Sequence, residues 1–384
     1  MPRTVRQLRN LGLGTLGLFA LLALLTIPVR AADSGLFKIE WTKVAENVWV
    51  GGRTADALRY PVVANTSIVI GDDGALVFDG GGFVAQGEQV LAKLRSLTKK
   101  PLKYIVVSHW HGDHHRGIAP LVAAYPDVVI VSHDFTRAAI VGPPMQKIDK
   151  AEKDGGAKDT AAAIKDGLDK NQFFDGSPLD PGEKPFFERF IADNPEHVRE
   201  IQRMKIFPPT LTFADRITLY LGKRQIDLVH FGPGNTKGDA VMIVPDAGFI
   251  AAGDVVIEPV PYGFGAYPKD WASVLRHIEA IDFKVLVPGH GAIQHDHAYL
   301  DLLIETLDSV ASQVDALIAS GVAREDGLKK LDFSKVEERF TNNDPVRRRL
   351  FSIYFKGPIG PAAWNAATGV ENESLKEEIE KAPN

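Results

Sequence analysis

The segment His109-Trp110-His111-Gly112-Asp113-His114 restricts this chain more than any other. Three imidazoles and a carboxylate follow the apolar run Tyr104-Ile105-Val106-Val107 after a single serine. A short apolar run of this kind predicts a buried strand. A strand that stops at imidazoles and a carboxylate puts metal ligands at the edge of a sheet. Neutral imidazole and carboxylate are what zinc, iron and manganese accept.

The rest of the pattern predicts layered α/β, because strands alternate with helices. Strands are expected at Phe37–Val50, Ser67–Ile70, Leu76–Phe78 and Val128–Val131. Val90, Leu91, Leu94 and Leu97 recur at helical spacing within Gln86–Leu97, and a short helix is expected to end at Ala124. A second group, Ile217–Leu221, Ile226–Val229, Ala240–Val244 and Phe249–Ala252, reads as a meander. A helix from Asp270, expected as its N-cap, to Ile281 precedes a strand at Val285–Val287 that runs on to His290. Residues 145–208 break this rhythm and carry Phe173, Phe174, Phe186, Phe187 and Phe190. They predict a helical insertion, either a lid or a segment that these rings pack onto the domain. Beyond His290, Leu300, Leu303, Leu307, Val310 and Val314 lie on one helical face. A helical extension is expected over 296–370, with Arg347-Arg348-Arg349 as a solvated face or in ion pairs, and a charged tail over 371–384 is expected to fray.

Residues 1–31 carry Arg3, Arg6, Arg9 and Arg30, no acid, and an apolar stretch from Leu11 to Ile27. This pattern predicts a secretory signal peptide ending at Ala31, hence a periplasmic or secreted protein with no stable membrane association after cleavage. An uncleaved anchor is the alternative. The chain has no cysteine, so no disulfide supports the core and no thiolate serves as ligand or nucleophile. The formal charge of −5 becomes −9 without the four leader arginines, which disfavours nucleic acid as a partner. A small-molecule substrate is expected, and the oligomeric state is left open.

His-x-His-x-Asp-His after a strand resembles the signature of the metallo-β-lactamase superfamily. Asn65–Gly71 with Ala75–Gly80, Phe231–Asp239, Ala251–Asp254 and Val287–Gly291 resemble further segments of that family in its order. The resemblance implies an αββα sandwich over 37–295. It also implies one metal on His109 and His111 and a second on Asp113, His114 and His290, with Asp254 shared. Zinc is the expected ion, one or two per chain, with iron or manganese as alternatives. Where the family has histidine in Gly-Pro-x-His-Thr, this chain has Asn235. A neutral amide oxygen is a poorer ligand than imidazole, so the first site is one imidazole short. Asp113 is expected to orient the nucleophile and shuttle a proton. Asp79 resembles the carboxylate that supports the ligands from behind, its alternative being a turn residue before Gly80-Gly81-Gly82. His115 is expected behind the ligands or against substrate, and Tyr262, in the 259–267 loop, against substrate. His230 would complete the first site only if its loop rearranged. His133 is expected in the core or at a helix cap, and His197, His277, His295 and His297 at the surface.

The activity implied is an exported metal-dependent hydrolase, in which metal-bound hydroxide cleaves an amide or ester-type bond, as in a lactam or lactone. The alternatives are a one-metal or degenerate ligand-binding scaffold and an iron-dependent oxidoreductase resembling sulfur dioxygenases.

Overall fold

The computed structural model describes residues 35–53, 58–59, 62–173 and 175–373. The expected signal peptide, Phe174 and most of the charged tail lie outside these residues.

The Phe37–Val50 run, expected as one strand, is a hairpin of β1 (Glu40–Ala45) and β2 (Val48–Gly52). It turns at Asn47, whose φ of 59° is a conformation that asparagine tolerates better than most side chains. Strands β3 (Thr66–Ile70) and β4 (Ala75–Phe78) continue antiparallel. Helix α1 (Val84–Leu97) then crosses to β5 (Leu102–Val106), and α2 (Ala119–Ala124) to β6 (Val129–His133). Helix α3 (Asp134–Val141) follows, and the expected insertion is helical: α4 (Pro143–Ala151), α5 (Ala157–Asp169) and α6 (Lys184–Arg203). It returns to β7 (Leu211–Phe213), the edge of a seven-stranded sheet whose β4 to β7 run parallel.

The second sheet is the predicted meander of β8 (Arg216–Leu221), β9 (Arg224–Val229), β10 (Val241–Val244) and β11 (Phe249–Ile257). Helix α7 (Pro268–Glu279) leads to β12 (Val285–His290), which lies parallel to β11. Asp270 is not the N-cap of α7. Tyr267 holds that position and Pro268 is the first helical residue, where its fixed φ fits and no hydrogen bond is lost. The chain ends in α8 (Ala298–Ala319), α9 (Arg324–Leu328), α10 (Ser334–Thr341), α11 (Pro345–Phe351) and α12 (Gly357–Ala367). No helix among the described residues is long and apolar enough to cross a membrane.

The two sheets bury one face against each other, with Val50, Leu76, Phe78 and Val106 meeting Leu228, Met242, Phe249 and Ala251. Helices α1, α2 and α6 cover the outer face of the first sheet, with Leu94, Leu121 and Ile201 among the packed side chains. Helices α7, α8 and α12 cover the second through Trp271, Leu307 and Trp364. The result is an αββα sandwich. Each fully buried side chain such as Leu76 contributes ~1.5–3 kcal/mol, so these layers can hold the fold without disulfides.

The phenylalanines of the insertion mostly pack on the insertion itself. Phe173, Phe187 and Phe190 form a separate cluster with Ala161, Ile164 and Leu179. Of the three consecutive arginines, Arg349 is the one that clamps this cluster to the C-terminal extension. Its guanidinium lies 4.7 Å from the Phe173 ring centroid and donates to Ser177 Oγ, the Pro178 carbonyl and Glu183.

Strand direction places the site. The C-terminal ends of parallel β4, β5 and β6 bring Asp79, the histidine motif and His133 to one edge, where ligands bind in open α/β sheets. Asp254 and His290, on parallel β11 and β12, come to the same edge from the second sheet. Asn65 stitches the sheets there, donating from its backbone N to Gly289 O (2.7 Å) and from Nδ2 to Pro288 O (2.9 Å). The close approach requires glycine. A Cβ at Gly253, whose φ is +54°, would sit 2.6 Å from Ser108 Cβ, and one at Gly289 would sit 1.9 Å from Asp254 Oδ1.

Candidate metal centre

After β5 the chain leaves the sheet and is caught by Asp79. This carboxylate accepts from Ser108 N (2.8 Å) through Oδ1 and from His114 Nδ1 (2.9 Å) through Oδ2. A carboxylate can only accept here, so His114 donates from Nδ1 and turns Nε2 inward. His290 is held alike, with Nδ1 3.3 Å from the Val63 carbonyl. His109 Nδ1 contacts Ser108 Oγ at 2.9 Å. Ordering of this kind, through the second ring nitrogen, is how proteins aim imidazole at a metal.

The inward atoms form two overlapping groups, His109–His114–Asp254 and Asp113–His114–His290, each with its donor atoms within 4.8 Å of one another. His290 Nε2 lies 3.1 Å from Asp113 Oδ2 and 3.5 Å from Asp254 Oδ1. His114 Nε2 lies 3.3 Å from Asp254 Oδ1, and His109 Nε2 lies 3.6 Å from Asp254 Oδ2. His111 stands outside these groups but turns its Nδ1 to within 2.9 Å of His109 Nε2. His114 Nε2, His290 Nε2 and Asp254 Oδ1 are buried and make no hydrogen bond. Each such atom costs ~1–3 kcal/mol. Three converging at one point are the signature of a cation's donor set, and their nitrogen and oxygen chemistry fits a divalent metal.

Burial pushes the His109 and His111 imidazoles down, with His114 adding to the effect. At His114 burial also acts downward, but Asp254, Asp113 and Asp79 outweigh it and hold the group well above its ordinary value. Burial would raise Asp113 and Asp254, yet their histidine neighbours hold both carboxyls low.

Asn235 sits on the β9–β10 loop. The turn after it is closed by Asp239, which accepts from Thr236 Oγ1 (2.7 Å) and Thr236 N (2.9 Å) and which burial pushes up to about 7. Asn235 Nδ2 donates to the Tyr262 carbonyl (2.7 Å), which can only accept, so Oδ1 is the free end of the amide. That oxygen is buried and makes no hydrogen bond. The Tyr262 ring lies 5.6 Å from His290 and 5.0 Å from Tyr354. Burial, then Tyr354 and the acidic pair, push its hydroxyl well above the usual tyrosine value.

The other histidines have other uses. His115 is buried behind the motif, bonds to the Trp110 carbonyl (3.0 Å) and is lowered to about 3 by burial, so it braces the loop rather than facing substrate. His230 does not rescue the first site: its Nδ1 bonds to Asp239 O (2.8 Å) and its ring lies against His133. His133 caps α3 by accepting from Phe135 N. His197, expected at the surface, is buried with its ring 5.6 Å from Phe83, because α6 lies over the start of α1. His277 and His295 are exposed and His297 is half-buried.

Sequence reasoning missed Ser108, Trp110 and Glu373. Trp110 Nε1 donates to Glu373 Oε1 (2.7 Å), Lys237 N donates to Glu373 Oε2 (2.5 Å), and Glu373 N donates to Tyr267 Oη (3.2 Å). The tail expected to fray is therefore fastened at its start, beside the site. One sequence signal was present: an indole between two ligands needs a partner for its N–H.

Burial raises the Glu373 carboxyl to about 8. A buried acid raised in this way contributes stability that is full below its unfolded pKa and is lost as pH rises through the folded one. The Glu373→Gln variant should lose ~1–3 kcal/mol less stability between pH 5 and 8 than the parent, read as denaturant midpoints at both pH values. Equal pH slopes would mean that Glu373 is hydrated.

Comparison with known proteins gives the family. The family model described as "Metallo-beta-lactamase superfamily" matches residues 59–321. A linear primary-alkylsulfatase from a Pseudomonas species is 24% identical over 236 residues, 57% of this chain. The match spans 40% of that relative's length. A solved metallo-beta-lactamase from Pontibacter korlensis is 19% identical with a TM-score of 0.46, covering 71% of this chain and 99% of that one. One from Erythrobacter litoralis is 14% identical with a TM-score of 0.46, covering 70% and 96%.

Proposed function

This chain belongs to the metallo-beta-lactamase superfamily, and from that premise we propose that it is a metal-dependent hydrolase of an ester-type bond. The observation that carries the reading is the convergence of His114 Nε2, His290 Nε2 and Asp254 Oδ1, all buried and none hydrogen-bonded. Asp113, His114 and His290 would hold one zinc with Asp254. His109, His111, Asp254 and the Asn235 amide oxygen would hold a second, more weakly. A zinc bound there supplies Lewis acidity and brings the pKa of water towards ~7.

The side chains divide the remaining work. Asp113 is 30% exposed, against 2% or less for His114, Asp254 and His290, so it is the carboxylate that reaches the reacting groups. His114 and His290 keep it ionised, so it can orient water by accepting its hydrogen bond. Asp79 holds the His114 ring through Nδ1. The Tyr262 hydroxyl keeps its proton at neutral pH and offers a neutral donor to the anion that develops at the attacked centre. Tyr262→Phe should therefore lower kcat ~10²-fold with little change in KM. An unchanged kcat would remove Tyr262 from the reaction.

A carboxylic ester or lactone is the first reading of the bond. A sulfate ester is the second, supported by the alkylsulfatase relative. The test is hydrolysis by the purified full-length chain of an ester, a lactone, a β-lactam and a sulfate ester, before and after chelation. Turnover of an ester-type substrate that chelation abolishes and added zinc restores is the expected result. Turnover that persists after chelation, or consumption of oxygen in place of hydrolysis, would overturn the reading.

A further inference from the structure

We propose that the cleft at the mouth of the metal centre is a subsite for an uncharged hydrocarbon tail, aliphatic or aromatic, carried by the scissile ester, with the C-terminal segment as one wall. The proposal rests on the hydrolase reading above and names its substrate class.

The cleft has a volume of about 400 Å³ and is lined in part by His111, whose Nδ1 lies 2.9 Å from His109 Nε2, so a tail seated in it would have its head group beside the ligand cluster. Its lining is Trp110 from the motif, Phe135 from α3, Pro144 and Ile148 from α4, and Phe264 from the loop after β11. An apolar pocket with few polar groups beside a reactive centre is the usual form of a small-molecule site. Ile148 is 38% exposed and Phe264 46% exposed, and they are among only five large apolar side chains left open to water among the described residues. Two of the five facing one cleft mark a surface that gains by being covered.

The polar members of the lining have partners elsewhere. Both Glu373 oxygens are taken by Trp110 and Lys237 N. Asn372 Nδ2 donates to Ala266 O and Ala362 O, and its Oδ1 accepts from Asn365. Lys147 also lines the cleft, so an uncharged probe is needed to separate apolar recognition from attraction of an anion.

The experiment uses the full-length protein as purified. Uncharged Nile red is displaced with 1-butanol and 1-decanol, and kcat/KM is measured for p-nitrophenyl acetate and decanoate. Decanol should displace the dye at a concentration at least ~30-fold below that of butanol, since each buried methylene is worth about two- to fourfold. Phe264→Asp and Ile148→Asp should each weaken decanol at least ~tenfold. Both positions are partly exposed, and an unchanged thermal midpoint would verify folding. Tyr220→Asp, on β8 and not part of the cleft lining, should leave displacement unchanged. Equal displacement by the two alcohols, or parental decanol binding in both cleft variants, overturns the subsite. Selective decanol binding without hydrolysis of any ester leaves the subsite standing and removes the hydrolase. Equal kcat/KM for acetate and decanoate without decanol binding does the reverse.

Discussion

His290→Ala should abolish the metal site built on Asp113 and His114 and lower hydrolysis at least ~10²–10³-fold. His290 Nε2 is the imidazole nitrogen 3.1 Å from Asp113 Oδ2, and its Nδ1 is fixed by the Val63 carbonyl. Removing it takes away one donor and one of the groups that keep Asp113 ionised. Changes to the supporting partners of metal ligands alone shift affinity ~10–100-fold, and a direct ligand should matter at least as much. Metal content by mass spectrometry and hydrolysis at saturating zinc would be read together, with His295→Ala, an exposed histidine, as the control. A folded His290→Ala protein with parental metal content and rate would show that the site is elsewhere.

Asn235→His should raise affinity at the weaker site by at least ~10–100-fold. In the proposed weaker site the parent would offer a neutral amide oxygen, a poorer zinc donor than imidazole. The expected parent stoichiometry is one tightly held metal per chain, rising towards two only at high added metal. The variant should hold two at lower concentration. If hydrolysis needs both ions, its rate at limiting metal should rise. If one ion suffices, stoichiometry should rise without a gain in rate. The substitution has a cost, because Asn235 is fully buried and its Nδ2 bond to the Tyr262 carbonyl would be lost or re-formed. Overpacking there is worth ~1–3 kcal/mol of destabilisation in the metal-free protein. Two tight metals in the parent, unchanged in the variant, would mean that Asn235 Oδ1 already completes the site.

The positions of these residues could be read because metal ligands at strand ends are encoded locally. His109, Asp113 and His114 follow a short apolar run, and Asp254 and His290 sit in or at the end of another. The same local periodicity gave the meander and the helices on both faces. Contacts between distant segments carried no such mark. Trp110 and Glu373 are separated by 263 positions, and glutamate in a charged tail has the composition of solvated chain. His197 reads as a surface histidine because its helix is rich in charge, and only the docking of α6 on α1 buries it. The turn at Asn47 was hidden for another reason: the residues on either side of it are all compatible with strand.

The bond between Trp110 and Glu373 also orders events during synthesis. The proposed metal donors are all translated by His290, whereas Glu373, the partner of the indole, is made 83 residues later. The strands that carry the ligands are thus made before the residue that fastens the entrance. A protein stopped at Val370 is accordingly expected to retain its metal content while losing discrimination between short and long tails, measured as the ratio of kcat/KM for decanoate and acetate esters. Ligand capture and substrate choice would then rest on parts of the chain made seconds apart, at ~5–20 residues per second.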